Sequence, residues 1–247
     1  MTAPLIQKAR TAWALLRSGK LRVRFSRCPA CGTTLLVKLA DDAISVRCIW
    51  CRASAIHMSI LQVLQQLYPD FSRLDVYEMS SRGPLFTYLQ RHVGNFIFSE
   101  FFDDVKPGTY REAVQCQDVQ RLTYADASFD LCTSTEVFEH VPDDRCGFRE
   151  IHRVLRPGGR FVFTVPLTDV AATVERAVIA GGMIHYLLEP EYHGDVIRGQ
   201  GRVLCFRNYG LDIVDRLKES GFHEARVMPA DSSVWWGFGT QVVVADK

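Results

Sequence analysis

Short apolar runs recur along the chain at the spacing of buried strands, with amphipathic stretches between them. The alternation is plainest over 128–166, SFDLCTSTEVFEHVPDDRCGFREIHRVLRPGGRFVFTVP. The run 129–132 is too brief for a helix and rich in strand formers. Pro142 suits the first turn of a helix, where its missing N–H removes no hydrogen bond. Phe148, Ile151, Val154 and Leu155 recur at helical spacing and give that helix one apolar face. Arg153 and Arg156 suit the carboxyl end of its dipole, and Pro157-Gly158-Gly159 stops it before a second buried strand over 161–165. A β–loop–α–turn–β unit of this kind implies a parallel sheet with a right-handed crossover.

The same reading extends outward. Strands are predicted to start near 73, 95, 112, 129 and 160, separated by helices or loops, which gives a doubly wound parallel α/β sheet. Helices are predicted over 54–67, with Ile56, Ile60, Leu61, Leu64 and Leu67 inward, and over the LDIVDRLKESGF stretch, with Gly221 just past its end. His57 reads as a surface or capping residue. An amphipathic basic helix is expected over 3–17, with Leu5, Ile6, Ala9, Trp13 and Leu16 on one stripe. Residues 167–209 break the pattern. They read as partly helical over 168–183 and then as an irregular insertion forming a lid or acceptor site, with Tyr192 and His193 as contacts. Strands over 222–228 and 238–245 close the chain as a terminal pair, and Trp235-Trp236 stands at the turn between them as core, rim or acceptor surface.

With 247 residues the chain has room for one α/β domain plus a small module. The composition, 47% apolar and 23% charged, is globular, and a net charge of +1 exerts no overall pull toward nucleic acid or membrane. The charge is uneven, with eight basic residues and no acid before Asp41. No apolar run is long enough to span a bilayer and no signal core is evident, so a cytoplasmic location is expected.

Eight cysteines fall into two kinds. Cys116, Cys132, Cys146 and Cys205 are scattered and read as small buried hydrophobes. Cys28, Cys31, Cys48 and Cys51 form two C-x-x-C knuckles separated by sixteen residues, the spacing of a four-cysteine zinc ribbon. Each knuckle aims two thiolates at one point, with strands over 35–38 and 44–47 folding back between them. Zinc (Zn2+) would stabilise a unit whose core is too small to do so alone. All four positions are filled by protein, so the site is expected to be structural.

The phrases SFDL, EVFEHVPD and REIHRVLRPGGRFVFTVP resemble class I S-adenosylmethionine-dependent methyltransferases of the type 11 group, and the resemblance covers about 70–166. It implies a Rossmann-like, mostly parallel sheet with an antiparallel terminal strand pair, and S-adenosylmethionine as cofactor. Glu78 takes the place of the acid that ends the first strand. The glycine-rich loop that normally follows is replaced by Met79-Ser80-Ser81-Arg82-Gly83-Pro84, in which the two serines permit close approach and Arg82 suits the cofactor carboxylate. Glu100, twenty-two residues beyond Glu78, matches the acid that binds the ribose diol. Asp118 and Val119 match the residues that bind the adenine amino group and pack on the ring, and Glu136 joins the cofactor set. A few quinone-biosynthesis methyltransferases carry a similar E-x-x-E-H run that binds a divalent cation. That role would fall on Glu136, Glu139 and His140, against the plainer alternative that Glu139 and His140 only shape a loop. His140 and His193 are the candidate general bases.

Expected boundaries are an amphipathic basic helix over 1–24, a zinc ribbon over 25–53, a linker helix over 54–70 and a methyltransferase domain over 71–247. Methyl transfer by in-line displacement to a small-molecule or glycan acceptor is the leading reading. The rivals are an RNA base methyltransferase that uses the ribbon and the basic N-terminal segment, and a non-catalytic binding module with a degenerate cofactor loop.

Overall fold

The computed structural model describes residues 21–195 and 201–247, so the helix predicted over 3–17 lies outside the described residues. In chain order the first elements are β1 (Arg22–Phe25), β2 (Leu35–Lys38), β3 (Val46–Cys48), α1 (Ala55–Leu67), β4 (Asp75–Glu78), α2 (Pro84–His92) and β5 (Asn95–Glu100). Then come β6 (Tyr110–Arg111), β7 (Val114–Cys116), β8 (Phe129–Thr135), α3 (Asp144–Val154) and β9 (Leu155–Thr164). The last part holds β10 (Val174–Glu175), β11 (Ala177–Ala180), β12 (Met183–Tyr186), β13 (Glu191–Asp195), β14 (Gly201–Cys205), β15 (Arg207–Asn208), α4 (Ile213–Glu219), β16 (Glu224–Pro229) and β17 (Gln241–Asp246).

The main sheet has eight strands in the order β16-β17-β9-β8-β4-β5-β7-β6. From β9 to β7 every neighbouring pair is parallel, while β17 runs antiparallel to both β9 and β16. Both faces are covered, which is why the strands read as apolar runs. Val76, Leu131, Val162, Val242 and Val244 point to one face and meet Ile60, Leu61 and Leu64 of α1 and Leu85 and Leu89 of α2. Tyr77, Cys132, Phe161, Phe163, Val243 and Ala245 point to the other, against Phe148, Ile151 and Val154 of α3 and Ile213 and Leu217 of α4. The doubly wound α/β reading of the sequence therefore holds. Helix α1 is itself a layer of this core.

Several local expectations shift. Pro142, expected in the first turn of α3, lies ahead of the helix, and Asp143 caps it, its side chain accepting from the Cys146 amide at 2.9 Å. The helix ends at Val154, and Leu155 opens β9. Pro157-Gly158-Gly159 is an irregularity within that strand, where the register against β8 slips between Phe129 and Leu131. A Cβ on Gly159 would lie 2.9 Å from Arg156 O and 3.1 Å from Asp130 O, so only glycine fits. Arg156 leaves the helix dipole and forks to Asp75 at 2.6 Å and Asp130 at 2.9 Å, tying the starts of β4 and β8. The third predicted strand is a small hairpin of β6 and β7, turned at Glu112 with a positive φ of 53°.

The insertion departs most from expectation. Residues 168–183 hold no helix, and the region contains two hairpins, β11–β12 and β13–β14, besides the short β10–β15 pair. Gly181 and Gly182, at φ 60° and 77°, make the turn of the first hairpin, a conformation that two-residue turns between twisted strands demand. Arg207, 3% exposed, anchors the insertion from within. It donates to the carbonyls of Phe138 (3.1 Å), Val141 (2.5 Å) and Pro142 (2.7 Å) and pairs with Glu175 at 3.0 Å. Arg216 reaches Asp144 at 2.8 Å and Glu175 at 2.7 Å, and the Tyr209 hydroxyl donates to Asp144 at 2.8 Å.

Truncating Arg207 takes the side-chain donors from the Val141 and Pro142 carbonyls and one of the two guanidinium partners from Glu175, leaving Arg216 as the other. Arg207→Ala is expected to cost about 3–5 kcal/mol in denaturant unfolding. Arg145→Ala, which breaks an exposed pair with Glu219, should cost less than about 1 kcal/mol. Equal losses would contradict this account of the anchor.

Candidate active site

Parallel strands end at one edge of the sheet, and the loops beyond β4, β5, β7 and β8 must be finished there. They enclose a cavity of about 1140 Å³ roofed by the two hairpins of the insertion. A ligand pocket in such a sheet belongs at this edge, where the connections leave in opposite directions on either side of β4. Glu78, Ser80, Arg82, Glu100, Asp118 and Val119 line one end of it. Glu136, His140, Ile179, Ile184, Tyr192 and Leu204 are among the residues lining the other.

Glu78 closes β4 at 1% exposure, and its carboxylate accepts from the Thr133 hydroxyl of β8. Burial, reinforced by the nearby Glu100, pushes its pKa up to about 8 against the opposing Thr133 bond. The loop that follows is held by Glu100. Its Oε1 accepts from the Ser81 amide at 2.7 Å, the Ser81 hydroxyl at 2.9 Å and the Ser80 hydroxyl at 3.4 Å. Burial raises the Glu100 pKa, with these bonds opposing. A carboxylate thus pins a loop that lacks the usual glycines, and all three bonds fall on one oxygen. Ser81 and Gly83 do not line the cavity: Ser81 turns onto Glu100, and Gly83, at φ 98°, caps α2 ahead of Pro84. His57 caps α1 as a capping residue, its Nδ1 2.7 Å from Ser54 Oγ, and also lines the cavity. At the far edge Asp118 caps the turn Val119–Arg121, accepting from the Gln120 amide at 2.9 Å, with Val119 half-buried beside it.

Glu136, Glu139 and His140 do not share the face of an α-helix. Glu136 sits alone at φ 54°, a strained position for a side chain with a Cβ, and Phe138–His140 forms a single tight turn. Burial, then the Glu139 carboxylate, raises Glu136 to about 8. Glu139 stays beside His140, its Oε1 3.5 Å from Nε2, but the donors grouped with His140 within 4.8 Å of one another are His193 and Cys205, and Glu136 is not among them. Of the two predicted bases, only His140 lines the cavity. His193 turns instead to Glu139 at 3.5 Å and Glu191 at 3.4 Å. Cys205, read from sequence as a buried hydrophobe, is buried but polar in its company. The strand alternation of the second hairpin carried the signal: His193 faces Val203 across the pair, so Cys205, two residues on, shares the His193 face.

The four knuckle cysteines do meet. Their sulfurs lie within 4.8 Å of one another, with Cys28–Cys51 at 3.7 Å and Cys31–Cys48 at 3.6 Å. The hydrogen bond shared by Cys28 and Cys51 holds the Cys51 thiol down to about 5 and raises Cys28. β1, β2 and β3 form their own antiparallel sheet beside the cluster, packed on Ala55 and Met58 of α1 and on the buried Trp235.

Residues 85–163, from α2 almost to the end of β9, match the family model described as a methyltransferase domain. Malonyl-(acyl-carrier protein) O-methyltransferase of Hahella chejuensis is 32% identical over 117 residues, 43% of this chain and 42% of that protein. Demethylmenaquinone methyltransferase of Mycolicibacterium vanbaalenii is 43% identical over 60 residues, 23% of this chain and 26% of that protein. The chain thus spans less than half the length of either relative. Among solved structures, an S-adenosylmethionine-dependent methyltransferase from Mesorhizobium loti superposes with a TM-score of 0.47 at 17% identity, over 76% of this chain and 98% of that one.

The Glu78 shift has a measurable sign. Its folded pKa of about 8 exceeds the ordinary 4.5, so between those values the folded state keeps a proton that the unfolded state has lost. Stability is therefore lost as pH rises through that window. Glu78→Gln removes the titration. Its melting temperature relative to the parent should climb between pH 5 and pH 8 and stay level below the ordinary carboxylate range. An offset independent of pH would show that Glu78 is ionised in the fold.

Proposed function

We propose that this protein is an S-adenosylmethionine-dependent methyltransferase acting on a small-molecule acceptor; of the relatives above, one is named for demethylmenaquinone and one for a malonyl group on acyl-carrier protein. The observation that carries this reading is one continuous cavity with carboxylates at its cofactor end and a mixed apolar and titratable lining at the other. At about 1140 Å³ it exceeds what a single drug-sized ligand fills, which favours two ligands side by side.

The residues at the cofactor end fit the cofactor. Glu100 has one oxygen committed to the loop and a second to offer a ribose diol, and Asp118 and Val119 are placed to accept from an adenine amino group and cover its ring. Arg82, exposed at the rim, suits the amino-acid carboxylate. Glu78, Ser80, Ser81, Gly83 and Glu136 complete the proposed set, with Ser81 and Gly83 acting through the shape of the loop. The bound cofactor supplies a methyl group already activated on a cationic sulfur. What the chain must add is position: holding donor and acceptor in near-attack contact accounts for ~7–11 kcal/mol of a barrier of this kind. Ile179, Ile184, Tyr186, Leu204 and Phe206 provide the apolar wall that an acceptor would rest against and that excludes water.

We also propose that residues 25–53 form a zinc ribbon, with Cys28, Cys31, Cys48 and Cys51 holding one structural zinc. Because this unit packs on α1, the metal would support the layer on which the main sheet rests.

Calorimetry should show S-adenosylmethionine binding, weakened by Glu100→Ala or Asp118→Ala by a factor of about 10, or ~1.4 kcal/mol. No binding to the parent protein would sink the reading, and unchanged affinity in both variants would refute the assigned residues. Removing the ribbon zinc with a strong chelator is expected to lower the melting temperature and to quench the signal of buried Trp235; a chelated protein that melts unchanged would refute the ribbon.

A further inference from the structure

The turn Phe138–His140 and the hairpin β13–β14 meet over a group of side chains that cofactor binding does not use. Glu139 is 1% exposed, and neither of its carboxylate oxygens has a hydrogen-bond partner. Leaving both unsatisfied in the interior is costly, and such a group calls for an explanation. Two imidazoles bracket it: His140 Nε2 and His193 Nδ1 each lie 3.5 Å from Glu139 Oε1, at the outer limit of pairing. The far nitrogen of each ring is already engaged. His140 Nδ1 lies 2.9 Å from the carbonyl of Leu204, and His193 Nε2 lies 3.4 Å from Glu191 Oε1. Each ring thereby presents its other nitrogen to Glu139, and a backbone carbonyl or a carboxylate on the far nitrogen is what orients a metal-binding histidine. The Cys205 sulfur, 1% exposed, lies on the Leu204 side of His140, 3.8 Å from Nδ1, and one donor atom each of His140, His193 and Cys205 fall within 4.8 Å of one another.

We infer that His140, His193 and Cys205, with Glu139 completing the set, form a divalent-metal site of the zinc class, separate from the four-cysteine cluster. Two imidazole nitrogens, a thiolate and a carboxylate are the donors of zinc or cobalt; magnesium and calcium take oxygen ligands. The charges also balance, since a thiolate and a carboxylate neutralise one divalent cation in a buried place.

The site would do two things. It would fasten the roof of the cavity to the turn that carries His140, since two ligands come from the hairpin and two from the turn. It would also assign both histidines a ligating role in place of the acid–base role read from the sequence. Neither the donor set nor its test involves methyl transfer.

The test is metal content. Purified full chain is equilibrated with excess Zn2+, freed of loose metal and analysed by plasma mass spectrometry. The His193→Ala/Cys205→Ser variant is expected to hold one zinc fewer per chain than the parent, with the ribbon zinc retained as the sign of a folded protein. Equal zinc content would overturn the proposal. Should the double variant not fold, Glu191→Gln decides, because it alters no ligand and removes the charge beside His193 Nε2, while the amide oxygen can still accept from Arg176 and Asn208. Zinc affinity at this site should then fall ~10–100-fold, and an unchanged affinity would overturn the assignment. Cobalt loading gives an independent readout: Cys205→Ser should lose part of the thiolate-to-cobalt absorption, and a spectrum identical to the parent's counts against the site.

Discussion

A parallel sheet must bury both of its faces, and nearly everything else in this protein follows from how that is done. Alternate residues of β4, β8, β9 and β17 feed two separate apolar layers, one under α1 and α2 and the other under α3 and α4. Covering both faces requires crossovers, and crossovers place every loop that follows a parallel strand on the same edge. Glu78, Glu100, Asp118 and Glu136, which are far apart in the chain, therefore come to one cavity. The edge that the sheet leaves open is where carboxylates can be held without being lost to water.

The acceptor side depends on a second device. The insertion has little apolar core of its own; Ile179, Met183, Ile184, Tyr186, Leu187 and Leu188 all remain exposed. It is held in place by charge. Arg207 satisfies three carbonyls of the 138–142 loop while pairing with Glu175, and Arg216 and Tyr209 secure Asp144 at the start of α3. A buried guanidinium can serve as such an anchor only when its donors find acceptors, and here the 138–142 loop supplies three and Glu175 a fourth. The same turn carries Glu139 and His140, so the fastening that orders the insertion also presents the buried Glu139 carboxylate to His193.

The cofactor loop shows how a departure from a pattern is accommodated. Glycines would let the backbone approach a ligand without side chains in the way. Here the loop carries serines, and the bonds from Ser80 and Ser81 to Glu100 draw it down against β5. The proposed ribose-binding acid thus also shapes the loop, and the two functions are separated by oxygen atom.

Much of the main sheet was legible in the sequence because its strands are short, apolar and bounded by Gly, Pro and polar runs, and because a buried strand tolerates little else. The cysteine spacing was legible for a similar local reason, since two knuckles can converge only if the chain between them folds back. Helix α3 was placed correctly but for its ends, where a capping carboxylate and a strand bulge competed with Pro142 and the Pro-Gly-Gly turn. The 168–183 region misled because a few apolar residues at mixed spacing fit a helix as well as a hairpin, although Gly181-Gly182 marked the turn. What the sequence by itself determined is the set of local choices: strand, helix, turn and knuckle, each decided within a few residues. Only the tertiary structure decided that α1 is a core layer, that Arg207 anchors the insertion, and that His140, His193 and Cys205 meet around Glu139. The turn Phe138–His140 meets His193, Cys205 and Arg207 across more than fifty positions of sequence, and the energy of these encounters lies in burial and pairing across elements, which no local pattern records.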